Sequence, residues 1–173
     1  MGKLLIRKEI PTDLPDIRRL NDLVFHGPVE GSIVDALREW RPDILSLVAV
    51  QGSSIVGHLF FSPVEINGMT GTEAMGLGPM AVLPRYQRKG IGKALINEGL
   101  RKLEQSGCAV VVVLGHTEYY PQFGFVPAGQ YGLKSQWAGI PADVFMARFL
   151  KKEKIGLVSG IVRYQREFDT AAQ

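Results

Sequence analysis

The apolar positions in the middle of the chain follow two different periods, which together predict a helix followed by a buried strand. Between Ile91 and Leu103 apolar residues recur at intervals of three and four, as on one face of a helix. Residues 109–114 form an unbroken apolar run with four valines, which is typical of a strand buried on both faces. Gly107 stands between the two as a helix stop signal. A further strand is expected to end at Leu83, ahead of a glycine-containing loop.

The flanking segments predict more strands and two more main helices, all within one domain. Strands are expected over residues 4–9, 44–50, 54–62 with a continuation to 66, about 72–83, 125–126 and 144–150, with a last strand or hairpin over residues 156–168. Helices are expected to begin at residues 11–13 and at Gly31 or Ser32, with a short one near Thr117 and a loop over residues 130–143. The chain of 173 residues shows no linker or repeat, so a single domain over residues 1–173 is expected.

The loop between Leu83 and the central helix has the composition of a phosphate site. Gly90 and Gly92 lack a Cβ and stand where a helix begins, so backbone amides can approach an anion closely. Four basic residues surround them: Arg85, Arg88, Lys89 and Lys93. The loop is neither a Walker A loop nor a dinucleotide fingerprint, because Ala94 and Leu95 stand where those motifs need Ser or Thr and a third glycine.

Two short motifs make the chain resemble the GNAT superfamily of acetyl-CoA-dependent N-acyltransferases. Gln87, Gly90 and Gly92 match the Gln-x-x-Gly-x-Gly pattern of that family's pyrophosphate loop. Tyr120 begins a Tyr-x-x-x-Gly-Phe signature about 30 residues further on. The resemblance is strongest over residues 77–125 and extends over nearly the whole chain, which looks most like a bacterial and archaeal branch of predicted acetyltransferases.

The resemblance implies a fold and a cofactor site. The fold would be α/β (α+β), with a mixed, mostly antiparallel central sheet, a splayed strand pair and helices on both faces. Gly78-Pro79 would be the bulge that helps to splay the strands, since proline cannot donate to a central ladder. Acetyl-CoA would be the acyl donor. The residues expected to bind it are Met80, Ala81 and Val82 for the pantetheine arm, and Gln87, Arg88, Lys89, Gly90, Ile91, Gly92 and Lys93 for the pyrophosphate.

The resemblance also places Tyr120 at the general-acid position, beside the thioester sulfur, whereas Tyr119 is expected to be structural. The general base stays open: the candidates are His58, Glu65, Glu73, His116, Glu118 or a water-mediated base. His116 is preferred because it lies close to Tyr120 and histidine exchanges protons near neutral pH. The expected reaction is acetyl transfer to a primary amine of a small-molecule or peptide acceptor. The alternative is a non-catalytic module that binds or senses acyl-CoA.

Composition and charge narrow the remaining classes of function. Hydrophobic residues make up 46% and charged residues 21%, as in an ordinary globular chain. No apolar run of 18 residues and no signal-peptide pattern is present, so no membrane association and a cytoplasmic location are expected. A net charge of +3 without a long basic run argues against nucleic acid as a partner. One cysteine and three histidines do not suggest a metal site, and the chain is expected to be a monomer or homodimer.

Overall fold

The computed structural model describes residues 3–69 and 71–171. Within them a seven-stranded sheet has the strand order β1-β2-β3-β4-β5-β8-β6, and β7 pairs with β9 separately. The strands are β1 (Leu4–Lys8), β2 (Leu45–Gln51), β3 (Ser54–Pro63), β4 (Ala74–Val82), β5 (Val110–Leu114), β6 (Val126–Pro127), β7 (Leu133–Ser135), β8 (Phe145–Phe149) and β9 (Gly160–Val162). The helices are α1 (Leu14–Val24), α2 (Val29–Trp40) and α3 (Ile91–Gln105). None of the described helices is long and apolar enough to cross a membrane.

The large sheet is mixed and mostly antiparallel, and helices cover both of its faces, as the resemblance implies. All neighbouring pairs in it are antiparallel except β4 and β5. Successive side chains of β3 alternate between two cores, because the side-chain period of a strand is two. Leu59 and Phe61 pack in the core that contains the apolar face of α3, whereas Phe60 packs against Ile33 and Leu37 of α2.

Strands β4 and β5 pair over the first four residues of each and then separate. Their parallel register runs from Ala74 opposite Val110 to Leu77 opposite Val113 and ends there. Directly afterwards, at Gly78-Pro79, the register between β3 and β4 shifts, so the expected disturbance at this dipeptide is confirmed. The strands separate because β4 continues along β3 while β5 continues along β8. The gap between them is the feature that positions the site.

Helix α2 begins earlier than the sequence predicts. It starts at Val29, so the expectation of a cap at Gly31 or Ser32 is wrong. Gly31 is buried inside the helix, where a Cβ would lie 2.6 Å from Arg18 Cδ of α1. The glycine therefore allows close packing of α1 on α2 and does not mark a helix end.

The C-terminal third also differs from the expectation. The predicted loop over residues 130–143 contains β7, and the predicted strand or hairpin over residues 156–168 contains only β9, which pairs parallel to β7. The predicted continuation of β3 to residue 66 is reduced to isolated bridges, one of which joins Glu65 to Arg163. These pairings join segments far apart in the chain, and local periodicity carries no information about them.

Candidate active site

The N-terminus of α3 is open and carries unpaired amides. Gly90 caps it in the left-handed conformation, with φ of 81°. The N–H of Ala94 donates to the Gly90 carbonyl at 2.9 Å, so the amides of residues 91–93 have no partner within the helix. No side chain caps this helix end and its first turn contains no acidic residue. The positive end of the helix dipole is therefore available to an anion.

The loop before α3 is held to the end of β4. The Gln87 amide Nε2 donates to the Val82 carbonyl at 3.0 Å, so Gln87 braces the loop. The Tyr86 ring lies between two cations, with Arg85 Cζ 5.0 Å and Lys89 Nζ 5.6 Å from its centroid. These contacts leave Arg88 and Lys93 as the basic side chains that line the cavity in front of the helix.

Two cavities meet at the splayed strands. The first, here called the loop cavity, has a volume of about 510 Å³ and lies against the glycine loop and the start of α3. Of the ten residues predicted to bind cofactor, all but Ala81 and Lys89 line it. The second, here called the inner cavity, has a volume of about 390 Å³ and lies between the end of β5 and residues 77–80. Met80, His116 and Tyr119 line both, so the two cavities adjoin at these residues and are together called the groove.

The second half of β4 presents backbone amides to this gap. The Leu83 N–H donates to the Val56 carbonyl of β3 at 3.0 Å. Hydrogen-bonded and non-hydrogen-bonded pairs alternate along an antiparallel ladder, so in the observed register Ala81 bonds to β3 whereas Met80 and Val82 do not. The amides of Met80 and Val82 therefore face away from β3, towards the splayed side.

Tyr120 lies in the inner cavity and is 6% exposed. Its ring packs edge-on against the rings of Phe125 and Tyr119, with distances between ring centroids of 5.8 Å and 5.3 Å. A Cβ on Gly115 would lie 2.1 Å from its Cε2, so only glycine at that position leaves room for the ring. Burial, with a smaller contribution from neighbouring Tyr119, raises the pKa of the Tyr120 phenol. The phenol is therefore protonated at neutral pH.

Tyr119 was expected to be structural, yet it lines both cavities. Its hydroxyl lies 2.7 Å from the position that a Cβ on Gly92 would occupy, at the first turn of α3. Its ring is nearly perpendicular to that of Tyr120, at 84°. Sequence reasoning missed this residue because the signature motif drew attention to the second tyrosine only.

Among the five side chains considered as a general base, only His116 lines the groove. His58 is fully buried within the fold, where it contacts Ser46 Oγ at 2.9 Å and Asn21 Nδ2 at 3.1 Å. Glu65 lines a separate cavity beside Arg163. Glu73 precedes β4 at the end far from the gap, and Glu118 is exposed without lining either cavity.

The outer wall of the inner cavity comes from the N-terminal helix pair, which the resemblance to the family places beside the acceptor, and from a C-terminal segment that no sequence motif connects with the site. Phe25 and Glu30 approach from the α1–α2 region, and Trp137, Tyr164 and Phe168 from the C-terminal part of the chain. No local pattern marks them, because they meet only through tertiary packing. Within residues 3–69 and 71–171, no group of three or more His, Cys, Asp or Glu side chains is placed to hold a metal ion.

Comparison with known proteins decides the family. The family model described as Acetyltransferase (GNAT) family matches residues 14–125. The chain belongs to this family. A relative of this GNAT protein, the uncharacterized N-acetyltransferase YhbS of Escherichia coli (strain K12), is 35% identical over 167 residues, which cover 96% of this chain and 99% of YhbS.

Two solved structures are similar to this GNAT protein over nearly its whole length. The first is the E. coli YhbS protein in complex with CoA, with a TM-score of 0.90 and 34% identity, covering 98% of this chain and 93% of that one. The second is a GNAT family acetyltransferase from Brucella melitensis in complex with acetyl-CoA, with a TM-score of 0.81 and 36% identity, covering 98% of this chain and 100% of that one.

Proposed function

We propose that this GNAT protein, acting as a single domain over residues 1–173, transfers the acetyl group of acetyl-CoA directly to a primary amine. The observation that carries the proposal is the groove. Its two adjoining cavities extend from the open N-terminus of α3 to the gap between β4 and β5, and Met80 lines both of them. The CoA and acetyl-CoA in the two similar solved structures support it.

The proposed cofactor contacts follow the groove from one end to the other. The pyrophosphate would bind the free amides of residues 91–93, with the Arg88 and Lys93 side chains neutralising its charge. The pantetheine arm would continue along β4 and pair with the amides of Met80 and Val82, as an added strand does. Ala81 and Lys89 are left out of these contacts, because they line neither cavity.

The proposed chemistry uses three groups at the meeting point of the cavities. The unprotonated amine attacks the thioester carbonyl, and the Met80 amide donates to the oxyanion that forms. The carbon–sulfur bond then breaks, and the Tyr120 phenol gives its proton to the departing thiolate. His116, directly or through a water molecule, accepts the proton that the amine loses. The products are an N-acetylated amine and CoA.

The direct test is turnover of acetyl-CoA with a panel of primary amines. We expect amine-dependent release of free thiol, with a product one acetyl group heavier than the amine by mass spectrometry. The His116→Ala substitution should lower the rate of acetyl transfer most near neutral pH. The rate should recover at higher pH, because a larger fraction of the amine is then already unprotonated. If the protein bound acetyl-CoA but released no free CoA thiol in the presence of any amine, the proposal would be contradicted and an acyl-CoA-binding module would be indicated.

A further inference from the structure

The inner cavity has an aromatic wall on the side opposite to the strands. The rings of Trp137 and Tyr164 lie 5.0 Å apart with an angle of 33°, and those of Tyr164 and Phe168 lie 5.6 Å apart. The Trp137 indole donates to Asp169 Oδ1 at 3.0 Å, and the Tyr164 N–H donates to Gln136 Oε1 at 2.8 Å. These bonds hold the aromatic wall in place without a ligand, so its shape is preorganised.

The charge in this cavity is small and negative. Among the described residues that line it, Glu30 is the only one with a carboxylate, and none is lysine or arginine. Glu30 is partly buried in the first turn of α2 and has no hydrogen-bond or ion-pair partner within the described part of the chain. A carboxylate beside aromatic faces attracts a cation, because both the negative charge and the ring quadrupoles favour it.

A cavity of about 390 Å³ is within the range of small-molecule sites. A polyamine or an aminoglycoside carries several ammonium groups, of which one carboxylate could pair with only one. An acidic acceptor would be repelled by Glu30. A monoamine has a single ammonium group, which Glu30 can pair, so no charge of the ligand is buried without a partner. The apolar body of such an amine can cover the aromatic wall.

From this combination we infer that the inner cavity, as the acceptor site of the proposed transfer, selects primary monoamines carried on an apolar, preferably aromatic, body. Glu30 attracts the ammonium form into the cavity, and the wall formed by Trp137, Tyr164 and Phe168 holds the body. The amine then loses its proton where the inner cavity meets the loop cavity, at His116. The inference rests on the proposed acetyl transfer and names its acceptor class.

The first experiment compares kcat/KM for 2-phenylethylamine, ethylamine, spermidine, kanamycin and glutamate at saturating acetyl-CoA. We expect 2-phenylethylamine to exceed each of the others by about tenfold or more, from burial of its ring and the absence of unpaired charge. A higher value for spermidine, kanamycin or glutamate would overturn the acceptor class while leaving acetyl transfer intact.

The second experiment uses two variants and a matched control. Glu30→Gln should raise the KM for 2-phenylethylamine about tenfold or more and leave the KM for acetyl-CoA unchanged, because a charge-assisted contact to the amine is lost. Trp137→Leu should remove most of the preference for 2-phenylethylamine over ethylamine. Glu39→Gln, an exposed carboxylate on the same helix outside the cavity, should behave as wild type. An equal KM in Glu30→Gln and Glu39→Gln would contradict the role of Glu30.

Ligand-observed NMR of 2-phenylethylamine with the protein saturated in CoA separates this inference from the proposed transfer. Binding that weakens in Glu30→Gln supports the acceptor site even if no turnover occurs. Turnover of other amines without binding of 2-phenylethylamine overturns the inference alone. Neither binding nor turnover of any amine overturns both.

Discussion

Tyr119 and Tyr120 are adjacent in the chain, yet their rings contact different parts of the groove. Tyr120 is buried among Gly115 and Phe125 at the inner cavity, and Tyr119 reaches the first turn of α3. The motif that identifies Tyr120 is visible in the sequence. The position of Tyr119 depends on how the segment after β5 packs against α3, which the sequence does not show. The two neighbouring tyrosines therefore line different parts of the groove.

Tyr120→Phe tests the proton donor, because phenylalanine keeps the ring and removes only the hydroxyl. We expect kcat to fall about tenfold to a thousandfold. This is at the low end of the usual effect of a general acid, because a thiolate is already a fair leaving group. The Kd for CoA should change little. Steady-state kinetics and calorimetric titration with CoA measure the two quantities.

Tyr119→Phe and Tyr131→Phe are the comparisons for that variant. Tyr119→Phe should lower kcat less than Tyr120→Phe. Tyr131 packs on Phe149 outside both cavities, so Tyr131→Phe should leave the kinetics as in wild type. If Tyr120→Phe turned over at the wild-type rate with chemistry limiting, the proton donor would be another group.

Among the elements, α3 is the one whose start forms the proposed pyrophosphate site. Its apolar face is buried against the sheet through Leu95, Ile96, Leu100 and other residues. That burial fixes the direction of the helix, while its N-terminus is left without a cap. The same element therefore contributes both to the core and to the proposed anion site.

Gly92→Asp tests the helix start. The new carboxylate would face the proposed pyrophosphate, so we expect the Kd for CoA to rise about tenfold to a hundredfold. An acidic residue in the first turn favours the helix itself, so the fold should persist once the Tyr119 side chain has moved away from the new Cβ. Calorimetric titration measures affinity, and circular dichroism checks the fold.

Gly129→Asp is the matched control for that substitution. A Cβ at Gly129 would meet nothing within 4 Å, and the residue lines neither cavity. It introduces the same charge away from the groove, so the affinity for CoA should be unchanged. Equal affinities of CoA for wild type and a folded Gly92→Asp would rule out the proposed pyrophosphate site.

At the scale of the whole molecule, a buried polar chain joins the sheet to both N-terminal helices. Asn21 of α1 contacts His58 of β3, which contacts Ser46 of β2. Ser46 donates to Glu9, which also accepts from Arg38 of α2 at 2.6 Å. Burial, with the nearby Arg38 guanidinium adding to it, lowers the pKa of His58 from 6.5 to about 3.

This lowered pKa predicts how stability depends on pH. The unfolded chain binds a proton at His58 below its ordinary pKa of 6.5 and the folded chain does not, so stability falls as pH drops from 6.5 towards 3. Between pH 7 and pH 5 we expect this residue to remove about 2 kcal/mol of unfolding free energy. Urea denaturation at both pH values measures the loss.

Two variants separate His58 from the other histidines in that measurement. His58→Gln should lose most of the pH dependence, whatever its absolute stability, because glutamine does not titrate. His26→Asn, at an exposed residue with φ of 57° that asparagine also tolerates, should keep it. A pH dependence that persists undiminished in His58→Gln would show that other groups cause it.

The sequence by itself determined the central unit of this protein and its family. The helix face from Ile91, the valine run of β5, the glycine loop and the break at Gly78-Pro79 depend on the local chain, so their periods and turn residues predict them. The two motifs on this unit indicate where the cofactor would bind, and the structure brings eight of the ten predicted residues to one cavity.

Only the tertiary structure decided what surrounds that unit. The inner cavity is lined by Glu30 and, more than 100 residues further along the chain, by Trp137, Tyr164 and Phe168. Strand β9 pairs with β7, and β8 lies between these two strands in the sequence. The same packing removes His58 from the list of bases and retains His116. Long-range contacts of this kind depend on which side chains the whole fold buries together. A short stretch of the sequence contains no information about that.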